Sequence, residues 1–445
     1  MTPDLLITNC ALHANPQDGT IIPSGYIAIK GAHISAIGPM TDCPPVDSWT
    51  VLDASGQLAM SGLVNGHCHA PMTLFRGLAD DLSLSAWLQE YIFPAEARYV
   101  HPEMVYWCSK LAAAEMLLSG TTTVADGYFH EGEVARACTE TGLRCVAAQG
   151  IIDFPAPGVS DPQKNIAHAE NYLSQWQQAN PLITPAVFAH APYTCSAATL
   201  RDAKELARRY EVPFFIHVSE TREEISLIPN PAGPTPVRHL EQLGLLDRDT
   251  VCVHGVWCDE EDLDILARTK AAVIVCPQSH LKLASGMAPL QAMLARGIRV
   301  GLGTDGAASN NSLDMFREMD LAAKVQKVAH LDPVAVPAGT MLDIATRGTA
   351  DAIGLGGQTG RLAPGVLADI VLLDLNAAHL QPFHSVSHLV YAAGAADVRN
   401  VLVHGRIVVK DRALLTIDLK ETMDQVRELA AKVVRNLSRR ALGHQ

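Results

Sequence analysis

The tetrapeptide Gly66-His67-Cys68-His69 follows directly on the apolar run Leu63-Val64-Asn65. Alternate side chains of a strand share a face, so His67 and His69 would project the same way with Cα atoms about 7 Å apart, within reach of one metal ion. Three more ionisable groups close apolar runs elsewhere: His217 ends Pro213-Phe-Phe-Ile-His217, His254 ends Thr250-Val-Cys-Val-His254, and Asp305 ends the run that begins at Arg299. Glu220 stands three residues beyond His217. Three neutral imidazoles and a carboxylate make a ligand set suited to Zn²⁺ or Fe²⁺ with a position left open for water. Such an ion would lower the pKa of that water toward ~7, and a neighbouring carboxylate, here Glu220, could shuttle the protons. Taken alone, His254 or His190 would read as a hydrogen-bonded core histidine and Asp305 as a helix cap. Their joint arrival at strand ends favours a site.

Those side chains need a scaffold that brings the ends of distant strands to one face. From about residue 60 to 365, eight apolar runs alternate with stretches of helical period: 63–65, 121–125, 144–152, 184–189, 213–218, 250–253, 272–276 and 299–303, with amphipathic segments such as 102–118, 197–210, 259–268 and 288–296 between them. Repeated βα units of this number predict an α/β fold, a (β/α)₈ TIM-like barrel, whose sites lie at the C-terminal ends of the strands. Residues 5–51 and 369–409 hold short β-rich runs broken by Gly, Asp and Asn, and read as one small β-sandwich domain made from both chain ends. The expected organisation is 1–59 and 366–415 for the two parts of that domain, 60–365 for the barrel and 416–445 for a C-terminal helix. The Pro-rich stretch 228–236, after the fifth strand run, reads as a loop placed where an active-site flap or a plain surface loop could lie.

At 445 residues the chain is long enough for a large domain with a smaller one attached. Its 34 Lys and Arg against 47 Asp and Glu give a formal charge of −13, which disfavours nucleic acid and anionic membrane surfaces and leaves small molecules as the expected partners. The first residues carry no basic segment and no long apolar run, so the sequence is expected to be cytoplasmic. The ten cysteines include no Cys-x-x-Cys pair and are expected to be reduced thiols.

The chain resembles the amidohydrolase superfamily, and within it the branch of 5′-methylthioadenosine and S-adenosylhomocysteine deaminases. The resemblance is carried by residues 60–81, with the His67-x-His69 pair, by Phe93-Pro-Ala-Glu-Ala97, Ser119-Gly-Thr-Thr-Thr-Val124 and His217-Val-Ser-Glu220, and by residues 276–286 and 303–313. It implies that His67, His69 and His217 bind one divalent metal ion per subunit, Zn²⁺ or alternatively Fe²⁺, with Asp305 a further ligand that also holds the attacking water. It implies that Glu220 carries a proton from water to the purine ring nitrogen and that His254 orients the hydroxide. It makes Glu96 the acceptor for the ribose hydroxyls, which suits an acceptor-only carboxylate, His190 a substrate contact, and Ser309 a neighbour of the substrate. The two-metal members use a modified lysine at the end of the fourth strand, where this chain has His190; one metal is expected. The zinc signature of cytidine-type deaminases, His-x-Glu followed by Pro-Cys-x-x-Cys, is absent.

The chain departs from the pattern at His280, where the resemblance leads to an asparagine, a change of pocket shape or polarity at the seventh strand. No substrate-contacting arginine can be placed between 144 and 162. The expected reaction is hydrolytic deamination of an adenosine-type nucleoside. Another aromatic amine or halide (guanine, a pterin, a triazine) and a non-catalytic scaffold are the alternatives, and a homo-oligomer is left open.

Overall fold

The computed structural model describes residues 4–14 and 19–442. Eight parallel strands hydrogen-bond in chain order: Leu63–Cys68, Thr121–Tyr128, Arg144–Ile151, Ile183–Ala189, Phe214–Val218, Thr250–His254, Ala272–Val275 and Arg299–Leu302. Each coincides with one of the apolar runs. The eighth strand returns to the first through a side-chain seam: Asn65 Nδ2 donates to Thr304 Oγ1 at 2.7 Å, its Oδ1 accepts from the Thr304 amide at 3.0 Å, and the Asp305 amide donates to the His67 carbonyl at 3.0 Å. A Cβ at Gly303 would stand 2.7 Å from the His67 nitrogen, so only glycine permits this approach.

Period-two alternation builds the barrel interior. Val146 and Ala148, Ala186 and Phe188, Val251 and Val253, and Ala272 and Ile274 join one buried cluster inside the ring, while Cys145 and Ala147, Phe214 and Ile216, and Val273 and Val275 join the outer core that the helices cover. Burying each Val, Ile or Phe among them contributes roughly 1.5–3 kcal/mol, and each Ala less. Val64 belongs to the interior cluster. Strict alternation from Val64 would turn His67 and His69 outward, but the register with the second strand shifts between Asn65 and Cys68. This irregularity reverses the parity and sends both imidazoles inward.

Both chain ends meet in a nine-stranded mixed sheet, where Gln57–Ser61 pairs in parallel with Leu5–Leu12 and antiparallel with Ile370–Asp374. Leu5, Ile7, Ile27 and Ile29 from one end share a core with Ile370, Leu372 and Leu402 from the other. The sheet is tied to the barrel by a buried fork: Arg144, the first residue of the third strand, donates to Asp369 Oδ2 and Oδ1 at 2.8 and 3.0 Å. Thr359 Oγ1 and the His404 amide complete the shell of that carboxylate at 2.8 and 2.7 Å. Arg144 is thereby committed at the strand end opposite the site.

The last helix is Leu419–Leu442; residues 443–445 of the expected C-terminal segment lie outside the described residues. Among the described residues no helix is long and apolar enough to cross a membrane. All ten cysteines are free thiols.

Candidate active site

The barrel gathers His67, His69 and His217 into one buried group whose ligand atoms all lie within 4.8 Å of one another. The rings of His67 and His69 converge to a centroid distance of 4.6 Å. His69 Nδ1 donates to the Gly127 carbonyl at 2.6 Å, which leaves its Nε2 lone pair facing the cluster. His67 Nε2 and His217 Nε2 approach each other at 3.2 Å. Lone pairs converging in this way are suited to a cation placed between them. Burial, with the neighbouring imidazole of His67 adding to it, pushes His69 down to about 4, and burial together with His254 holds His217 well below its usual value. Neutral imidazoles are the form that binds metal.

Asp305 completes the group, with Oδ1 at 3.6 and 3.5 Å from Nε2 of His67 and His69. Burial alone would raise this carboxyl, but His67 and His69 hold it well below the usual carboxylate range. Its Oδ2 accepts from Ser279 Oγ at 2.7 Å and Ser309 Oγ at 2.9 Å, and its Oδ1 from the Gly306 amide at 2.7 Å. Ser309 therefore sits behind Asp305, outside the lining of the cavity that the site faces. Ser279 lies in a stretch singled out in the sequence, but nothing local marks it as the partner of a carboxylate 26 residues away.

Glu220 and His254 stand together beside this group, Oε2 to Nε2 at 3.5 Å. Burial, then the charges of Asp305 and Glu224, keeps the Glu220 carboxyl well above its usual value, a perturbation of the kind that clusters at functional sites. The backbone leaves the strands through left-handed conformations here, with φ of 56° at Ser219, 81° at His254 and 62° at Asp305. Non-glycine residues held this way cost roughly 1–3 kcal/mol each and concentrate at functional sites.

These groups open on one common cavity, a concave and largely apolar place of the kind that takes small molecules. Trp87, Leu88, Phe93, Phe188 and Leu283 give it apolar walls. Glu96, on the helix Phe93–Tyr99, faces the same cavity, and its Oε1 accepts a 2.6 Å hydrogen bond from Tyr128. Burial raises the Glu96 carboxyl to about 7, against the lowering effect of that bond. His190 lines the cavity with Nδ1 2.9 Å from Thr194 Oγ1, and burial followed by the nearby His69 pushes it down to about 3. Tyr128 was not among the residues expected from the sequence; its place at the end of the second strand is the one signal that could have found it. Residues 228–230 of the Pro-rich loop line a larger outer cavity that shares Phe93, Tyr193 and Glu220 with the inner one. His280 contacts His254 and does not line the inner cavity.

The chain is similar over nearly its whole length to proteins named as deaminases. It is 45% identical over 432 residues, 97% of this chain and 98% of the other, to a 5-methylthioadenosine/S-adenosylhomocysteine deaminase of Syntrophobacter fumaroxidans. It is 44% identical over 436 residues, 98% of each chain, to one of Syntrophus aciditrophicus. Among solved structures, an adenosine deaminase from Xanthomonas campestris with bound zinc superposes with a TM-score of 0.93 at 35% identity, covering 97% of this chain and 99% of that one. The model of the amidohydrolase family matches residues 58–408, and with relatives this similar along nearly the full length, the chain belongs to the amidohydrolase family.

Proposed function

We propose that the protein hydrolyses the exocyclic amino group of an adenosine-type nucleoside, 5′-methylthioadenosine, S-adenosylhomocysteine or another 5′-substituted adenosine, releasing ammonia and the inosine-type product. The observation that carries the reading is that one cavity joins the Glu220–His254 pair and the imidazole cluster to a buried carboxylate, Glu96. The deaminase names of the relatives support it.

His67, His69 and His217, with Asp305, would hold one divalent ion, which we read as Zn²⁺ with Fe²⁺ the alternative. When bound, the ion lowers the pKa of water toward ~7 and so makes a nucleophile available at neutral pH. Glu220 accepts a proton from the attacking water and passes it to the purine ring nitrogen next to carbon 6 while the water oxygen bonds to that carbon. The tetrahedral carbon then expels the amine: Glu220 takes the remaining hydroxyl proton, delivers it to the leaving nitrogen, and ammonia departs. Asp305, fixed by Ser279, Ser309 and the Gly306 amide, orients the water from one side and His254 from the other. Glu96 accepts from the two ribose hydroxyls, His190 contacts the substrate, and Ser309 acts through Asp305. A nucleoside partner, no nucleic acid and no membrane accord with the charge of −13, and we read the protein as cytoplasmic.

Ammonia release from 5′-modified adenosines, guanine, a pterin and a triazine, with zinc-loaded and chelated protein, tests the reading. Nucleosides should be turned over best and only with metal. Faster release from a free base or a triazine, or none from any nucleoside, would overturn it.

A further inference from the structure

His254 is held between two side chains, Glu220 at its Nε2 and His280 at its Nδ1. His254 is 2% exposed, and its Nε2 faces Glu220 Oε2 at 3.5 Å. Before Glu220 takes a proton from water it is a carboxylate, and a carboxylate only accepts. The favourable tautomer of His254 therefore carries its hydrogen on Nε2, which leaves Nδ1 a bare acceptor in a buried place, where an unmet polar atom is costly. His254 Nδ1 lies 3.0 Å from Nε2 of His280, itself 2% exposed. Only one hydrogen fits between two nitrogens at that distance. A carbonyl or carboxylate there would have forced the hydrogen onto Nδ1 and left two acceptors facing each other at the catalytic end. An imidazole can donate.

We infer that His280 is a positioning residue that donates Nε2–H to His254 Nδ1 and so makes His254 Nε2–H the donor facing Glu220 and the attacking water. This rests on the deaminase reading above. The short helix Pro277–Lys282 that carries His280 is held on both sides of the ring: the His280 amide donates to the Cys276 carbonyl at 3.0 Å and its carbonyl accepts from the Ser285 amide at 2.9 Å. The preceding residue, Ser279, orients Asp305. Consecutive side chains of one helix thus aim the two groups that flank the water. Burial pushes His280 down to about 4, so it is neutral and keeps one donor and one acceptor nitrogen at the working pH.

Two substitutions separate hydrogen bonding from shape. His280→Gln sets an amide that can donate to Nδ1; His280→Leu fills the space and cannot. In zinc-loaded full-length protein, H280L should lower kcat by about tenfold or more with KM and metal content little changed, and H280Q should recover most of that loss. The second readout needs no substrate: ¹⁵N shifts of labelled histidine should place the His254 hydrogen on Nε2 in wild type and redistribute it toward Nδ1 in H280L. Wild-type His254 protonated at Nδ1, wild-type kcat in H280L, or an H280Q as slow as H280L would each overturn the inference. Should wild type release no ammonia from any adenosine, the deaminase reading fails, and the tautomer of His254 still decides the role of His280, even if H280L does not fold.

Discussion

Tyr128 donates a 2.6 Å hydrogen bond to Glu96 across 32 residues of sequence, joining the end of the second barrel strand to the helix that roofs the cavity. Both partners are buried, and the bond holds one carboxylate oxygen in place and favours the ionised form against the larger, opposite effect of burial. If Glu96 receives two ribose hydroxyls, Glu96→Gln forfeits charge-assisted bonds of roughly 1.5–3 kcal/mol each at most, partly recovered by the amide oxygen. The expected result is a fall in kcat/KM for nucleosides of about tenfold or more with unchanged metal content. A 2′,3′-dideoxy substrate should mimic the mutation non-additively; additive losses would remove Glu96 from ribose binding.

The same carboxyl predicts a pH effect. Burial raises Glu96 to about 7, so the acceptor form is present above that pH and lost as pH falls through it. KM for nucleosides should rise on acidification below about 7. Tyr128→Phe removes the one bond that lowers this value, so its acidic limb should move to higher pH, whereas Glu96→Gln should abolish the limb. A limb unchanged in both variants would assign it to another group.

Glu220→Gln should retain the metal and lose turnover by at least ~10²-fold, the size of a general acid–base contribution. The check is kcat together with metal analysis of the same preparation. Near-normal turnover in metal-replete protein would exclude Glu220 as the proton carrier.

His67→Ala and His217→Ala should each lower bound zinc as well as activity, because each deletes one of the converging nitrogens. Elemental analysis after dialysis reads this directly. Full occupancy in either variant would dismiss the cluster as the metal site.

Arg144→Met should destabilise the fold by about 3–5 kcal/mol, since it strands the Asp369 carboxylate in a buried place. Replacing both partners, as in R144M/D369L, should cost less than the single change. Urea unfolding measures both; a single variant as stable as wild type would mean that the fork does not hold the sheet to the barrel.

The sequence by itself determined the eight strands, because strands buried on both faces read as short continuous apolar runs between stretches of helical period, and it located His67, His69, His217, Glu220, His254 and Asp305, because sites of such barrels collect at strand ends. It also placed Glu96 and His190 in stretches whose resemblance implied a pocket. It did not determine which way the His67-x-His69 pair points: alternation from Val64 turns both rings outward, and only the irregularity against the neighbouring strand brings them in. Nor did it pair Tyr128 with Glu96, Ser279 with Asp305, His280 with His254 or Arg144 with Asp369, or put Ser309 behind Asp305. Secondary structure is written by neighbours three or four positions apart or alternating along a strand. The seam from Asn65 to Thr304 spans 239 residues, and contacts at such separations leave no local period, so they are settled only when the barrel closes and burial demands a partner for each polar atom.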